Sequence, residues 1–162
     1  MFRRPPTTAI VVGLLVIGLD QLTKRWALAS LPNGREVTII PDWLWFRLTT
    51  NSGASLGLLA GNNMVLAGVS LLIVVAVIIL LFRGSAGGQI GAAALGAVAG
   101  GATSNLVDRI RLGGVVDFIE VHLWPTDFNL ADAAIRSGLV LLLLALLVEL
   151  GRRRQRQSRR LD

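Results

Sequence analysis

The chain has 162 residues, 53% of them hydrophobic and 16% charged, with a formal net charge of +6 and a mean hydropathy of +0.65. A soluble domain carries roughly 25% charged residues, so this composition points to a membrane protein, and the length to a single domain. The absence of cysteine and the lone His122 exclude a disulfide framework, a cysteine nucleophile, a thiolate metal site and multi-histidine zinc chemistry. Nor does the positive charge point to nucleic acid. Six of the sixteen basic residues lie beyond Gly151, beside an apolar helix, where they anchor topology and attract anionic lipid.

Crossing the hydrocarbon takes roughly 20 mostly apolar residues in a helix. The first such segment covers about residues 8–29 and contains DQLTK. It begins like a secretory leader, but its apolar run is too long and no A-x-A-like site follows, so it is read as a retained span. Asp20 lies four residues before Lys24, the favourable order for an ion pair along a helix, with support of an outer loop as a further role. An outer loop follows, about 30–63. In it REVTIIPDWLWFRLTT, with β-branched and aromatic residues around Pro41-Asp42, predicts two short strands, 36–40 and 44–49. Trp43, Trp45 and Phe46 suit a membrane interface. NSGASLG, residues 51–57, provides a flexible return, where Asn51 either starts a turn or donates to a substrate carbonyl.

The second span, about 64–82, includes LLIVVAVIILLF, and Arg83 opens the tight RGSAGG turn after it. The third, about 89–106, is rich in small residues, and its GxxxG spacings predict close helix packing within the chain rather than a dimer seam. Its end, NLVDR, puts Asn105 and Asp108 on one helical face. Arg109 either pairs with Asp108 or snorkels to a headgroup, or helps to hold a polar substrate group. A second outer loop, about 107–132, carries five acids against two arginines, and Glu120, His122 and Asp127 read as surface residues. The fourth span is about 133–150, with Glu149 expected to pair with the arginine tail. Arg3, Arg4, Arg83 and the tail place both termini and the short turn in the cytoplasm and the two long loops outside. The fold class is thus an all-α membrane protein of four transmembrane helices with a small extracytoplasmic β-strand loop.

Carboxylates beside hydrocarbon cost a few kcal/mol unless they are paired or face a wet cavity. Asp117 ends the extended run GGVVD, and Asp132 sits in FNLAD at the start of the fourth span, so both reach one interfacial plane. Two adjacent carboxyls do not both ionise easily and share a proton. That supplies one base to activate water and one acid to protonate a leaving amine. Taken singly, Asp132 reads as a helix cap and Asp117 as a loop charge or a partner of Arg109; the membrane context favours the functional reading. The competing class is a small transporter or assembly factor, but a transporter places its ionisable groups near the midplane.

DQLTK, NSGASLG, GGATSNLVDR, GGVVDF and FNLAD occur in the order found in the lipoprotein signal peptidase, or signal peptidase II, family. The chain resembles that family over most of its length. The resemblance implies an aspartyl endopeptidase of the bacterial cytoplasmic membrane, with its active site on the outer face. Such an enzyme cuts prolipoproteins just before a diacylglyceryl-modified cysteine, needs no metal or organic cofactor, and is inhibited by globomycin-type cyclic peptides. Asp117 and Asp132 match the family's catalytic pair. Asn105, Asp108, Arg109, Asn129, Asn51, Gly53, Asp20 and Lys24 match its supporting and substrate-binding positions. This chain departs from the common pattern at Ser55 and Leu56, in a shorter segment between Asp117 and Asp132, and at Ser104, where glycine is common.

Overall fold

The computed structural model describes residues 7–31, 35–53, 62–84 and 87–158. Four helices carry the chain: α1 Thr7–Ser30, α2 Asn63–Arg83, α3 Gly88–Leu112 and α4 Leu130–Ser158. All four are long and apolar enough to cross a membrane. α3 is the hub, with 61% of its membrane-length window buried in the protein against 22% or less for the others. Its small residues explain why. A side chain at Gly100 would lie 2.6 Å from the Gly13 carbonyl oxygen, and one at Gly101 2.6 Å from that of Ala131. Backbones at this separation maximise dispersion contacts where lipid offers no hydrophobic drive between helices. The expected glycine packing therefore operates within the chain. Along α1, α2 and α4, leucines such as Leu14, Leu72 and Leu143 remain exposed, as lipid-facing positions should.

Two helix boundaries differ from the sequence expectation. α3 continues six residues past the apolar run, through Asp108 and Arg109, and stops at Gly113, whose φ of 75° is the left-handed conformation that closes a helix. α4 begins at Leu130 rather than 133. Hydropathy ends a span at its first charges, whereas the backbone ends it at a cap. The second outer loop shrinks accordingly.

The remaining elements form an antiparallel sheet in the order β1 (Glu36–Ile40), β2 (Leu44–Asn51), β3 (Val115–Val121). β1 falls where expected, and β2 runs two residues further than expected. The sequence predicts β3 only as an extended approach. Its first four residues are all buried, so it lacks the alternation that marks a strand in sequence. The sheet sits on the end of α1 through a cluster of three rings. Phe46 of β2 and Phe118 of β3 stand 5.9 Å apart and meet Trp26 at 5.6 and 6.2 Å, all edge to face. Ala27 and Leu31 complete that small core. The sheet is thereby anchored over one end of the bundle, with β2 and β3 paired so that Thr49 lies opposite Asp117 and Asn51 opposite Val115.

Candidate active site

Every site residue expected from sequence converges on the end of the bundle beneath the sheet, and the convergence starts with a buried lysine. Lys24 Nζ lies 2.7 Å from Asp20, 2.7 Å from Asp108 and 2.8 Å from the Asn105 side-chain oxygen. All three of its protons are engaged, and all three ionised groups are almost fully buried. The pairing expected between Asp20 and Lys24 is present. Asp20 also reaches α4: its Oδ1 accepts a hydrogen bond from Ala131 N at 2.8 Å, while Oδ2 accepts one from Ser104 Oγ at 2.7 Å. A carboxylate at the start of a helix satisfies a free amide and meets the positive end of its dipole. Asp108 in turn accepts from Gln21 Nε2 at 2.8 Å and from the Val116 amide at 3.3 Å, which fixes the start of β3 to α3.

Asn129 is the second cap of α4. Its side-chain oxygen accepts from the Asp132 amide at 2.8 Å, and its Nδ2 donates to Asp117 Oδ1 at 2.7 Å. One amide thus ties the Asp117 carboxylate to the backbone of Asp132. Asp117 receives another hydrogen bond, from Asn51 Nδ2 at 3.0 Å, and Asp132 receives one from Asn105 Nδ2 at 2.8 Å. The Asn51 side-chain oxygen accepts from Gly53 N at 2.9 Å, so the turn and donor roles read for Asn51 coexist. Asp117 is 1% exposed. Burial first, and then the neighbouring Asp132, push its carboxyl up to about 7, against the opposing pull of Asn51, Asn129 and Lys24. A carboxyl raised to this range is matched to proton transfer near neutral pH.

Of the roles read for Arg109, pairing with Asp108 is not the one formed, because Asp108 is already bonded to Lys24. Its guanidinium instead donates to the Gly53 carbonyl at 3.1 Å and to Asn63 Oδ1 at 3.2 Å, and Asn63 Nδ2 returns a bond to the Arg109 carbonyl at 3.0 Å. Arg109 therefore ties the end of β2 to α3 and to the first turn of α2. Ser55 and Leu56 lie outside the described residues.

Other participants escape a reading of the sequence alone. Gln21 binds both Asp108 and Ser104, and Ser104, the departure from the common glycine, is fully buried and bonded to Asp20. An amide inside an apolar span is a usable signal for Gln21. Glu120 and Asp127 are not free surface acids: Arg47 reaches Glu36 and Asp127 at 3.1 Å and Glu120 at 3.3 Å. The Glu36–Arg47 pair follows from the hairpin register, a cross-strand pairing of opposite charges. His122 stands edge-on to Trp43 at 5.6 Å. Glu149, expected to pair with the arginine tail, accepts a hydrogen bond from the Gly87 amide at the turn before α3.

Four membrane-length helices, with the buried Asp117 and the half-buried Asp132 held by side-chain amides at one end of them, define a multi-pass membrane protein with two neighbouring carboxyls. Comparison with known proteins narrows the class. The family described as signal peptidase (SPase) II matches residues 12–148. Relatives include the lipoprotein signal peptidases of Syntrophomonas wolfei, 39% identical over 90% of this chain and 95% of that one, and of Shouchella clausii, 37% identical over 93% and 99%. A solved bacterial membrane enzyme superposes with a TM-score of 0.82 at 27% identity, covering 91% of this chain and 92% of its own. The chain belongs to the signal peptidase II family, aspartic peptidases whose role is to remove signal peptides from prolipoproteins.

Proposed function

We propose that Asp117 and Asp132 are the catalytic pair of this peptidase and that it cuts just before a diacylglyceryl-modified cysteine. The observation that carries the reading is the shared amide of Asn129, which donates to Asp117 and caps the Asp132 amide, together with the upward push on Asp117 from burial and Asp132. In this mechanism the ionised member takes a proton from water as its oxygen bonds to the scissile carbonyl carbon. The protonated member then gives its proton to the leaving amine as the C–N bond breaks. Asn105, Asn129 and Asn51 hold the two carboxyls in place. Asp20, Lys24 and Asp108 fix the ends of α1, α3 and α4 around them. Arg109 and Gly53 shape the lip over which the substrate enters.

The whole chain acts as one integral domain and as a monomer, with both termini in the cytoplasm. Arg83 and Arg152, at the bundle end opposite the site, support that orientation through the positive-inside rule. The active site then faces the outer side of the bacterial cytoplasmic membrane. The substrate's acyl chains remain in hydrocarbon and contribute about 0.8 kcal/mol per buried CH₂. A cyclic peptide of the globomycin type competes for the same carboxyls. Purified protein in neutral detergent, given a diacylglyceryl prolipoprotein and its unmodified twin, should cleave only the first. Equal cleavage of both would remove the lipid requirement, and cleavage of neither by folded protein would remove the peptidase reading.

A further inference from the structure

A cavity of about 330 Å³ opens beside Asp117, walled by Arg47, Thr49 and Asn51 of β2, Asp117 and Glu120 of β3, and Asp127 in the turn before α4. Its charge is unbalanced. Among the lining residues one cation, Arg47, stands against the carboxyls of Asp117, Glu120 and Asp127; it bonds the last two as well as Glu36 outside the wall. Burial pushes the Glu120 carboxyl upward, Arg47 opposes it, and Asp127 and Glu36 push it further up. Arg136 is not part of the lining; it stands over the rings of Trp124 and Phe128, at 4.9 and 5.5 Å. A polar, acidic wall is unsuited to an apolar signal helix, which belongs against the exposed leucine faces of the bundle. A scissile bond held at Asp117 therefore leaves its other side, the start of the mature chain, to enter this cavity.

We propose that the cavity is the subsite for the mature side of the substrate, and that its excess carboxylates select by charge, disfavouring an acidic residue just beyond the lipidated cysteine and favouring a basic one. This inference rests on the reading of Asp117 as a member of the catalytic pair. The discrimination falls on binding, because these groups lie beyond the bond that breaks, and salt weakens it.

The test uses the full chain in neutral detergent with three diacylglyceryl peptides that differ only in carrying Lys, Ser or Asp immediately after the cysteine. At low ionic strength kcat/KM should fall in the order Lys, Ser, Asp, with about a tenfold spread carried mainly by KM, the size expected of one or two unscreened charges nearby. Arg47→Gln should widen the spread, and Glu120→Gln combined with Asp127→Asn should collapse it. Because the two changes act in opposite directions, a general loss of stability cannot mimic both, and the wild-type series needs no variant at all. Equal kcat/KM for all three peptides would overturn the subsite, as would a spread that neither variant moves. Cleavage of none of them would overturn the peptidase reading and this inference with it.

Discussion

Two carboxylate pairs sit within one end of the bundle, and they are held in opposite ways. Asp20 and Asp108 share Lys24, each at 2.7 Å, and spend their remaining lone pairs on Ser104, Gln21 and the amides of Ala131 and Val116. Asp117 and Asp132 are reached by the side-chain amides of Asn51, Asn129 and Asn105, while Lys24 acts on Asp117 only through its field. A carboxylate whose lone pairs are spent on a buried lysine and on fixed donors has no place left for a reactant and serves architecture. One fixed by neutral amides in a buried place keeps its geometry whether or not it carries a proton. The same residue type thus does structural work in one pair and is proposed to do proton transfer in the other, and the difference lies in the partner.

Breaking the amide-held pair should give the largest effect. Asp117→Asn or Asp132→Asn is expected to lower turnover by about 10²- to 10⁴-fold, the range of general acid–base catalysis, while thermal unfolding in detergent stays close to the parent. Near-normal turnover in either variant would sink the assignment. Breaking the lysine-held pair should show in stability instead. Lys24→Met leaves two buried carboxylates without their cation and should cost about 3–5 kcal/mol, read as a lower unfolding midpoint and poor yield of folded protein. A variant as stable as the parent would mean that the triad is not structural.

Sharpening the comparison needs gentler changes. Asn51→Ala removes a hydrogen bond that holds the Asp117 carboxyl down, so the alkaline limb of kcat/KM should move to higher pH. A move to lower pH, or none, would contradict the role given to Asn51. Ser104→Ala takes one hydrogen bond from buried Asp20 and should cost about 1–3 kcal/mol, the penalty for one bond missing from a buried acceptor, less whatever the remaining partners recover. Equal stability of the two proteins would mean that Asp20 loses nothing with this hydroxyl.

Much of this arrangement is legible in the sequence because hydrocarbon makes polar residues conspicuous. Asp117, Asp132 and NLVDR stand out against apolar spans, and Asp20 and Lys24 announce their pairing by spacing. What stays hidden depends on contacts distant in sequence. β3 is defined by pairing with β2, more than sixty residues earlier, and its buried start masks the strand period. Sequence neighbours point Arg109 to Asp108, whereas Lys24 of another helix has already taken that carboxylate. The acid cluster around Arg47 joins β1, β2 and the turn before α4, and no single segment carries its signature.

The stability of the protein bears the same mark. Asp117 has an ordinary unfolded value of about 3.9 and is raised to about 7 in the fold. Between those values the folded state binds more protons than the unfolded one, so this residue makes stability fall as pH rises from about 4 to about 7. Asp117→Asn should therefore flatten the pH dependence of the unfolding midpoint across that window.

The most direct test is an infrared titration of Asp117 in the folded protein, with ¹³C-aspartate labelling and Asp117→Asn as the subtraction. The protonated carboxyl band assigned to Asp117 should persist to near-neutral pH and disappear with a midpoint near 7. A band already lost by about pH 4, the ordinary aspartate range, would mean that this carboxyl holds its charge like any solvated acid, and the contrast between the two pairs would fail.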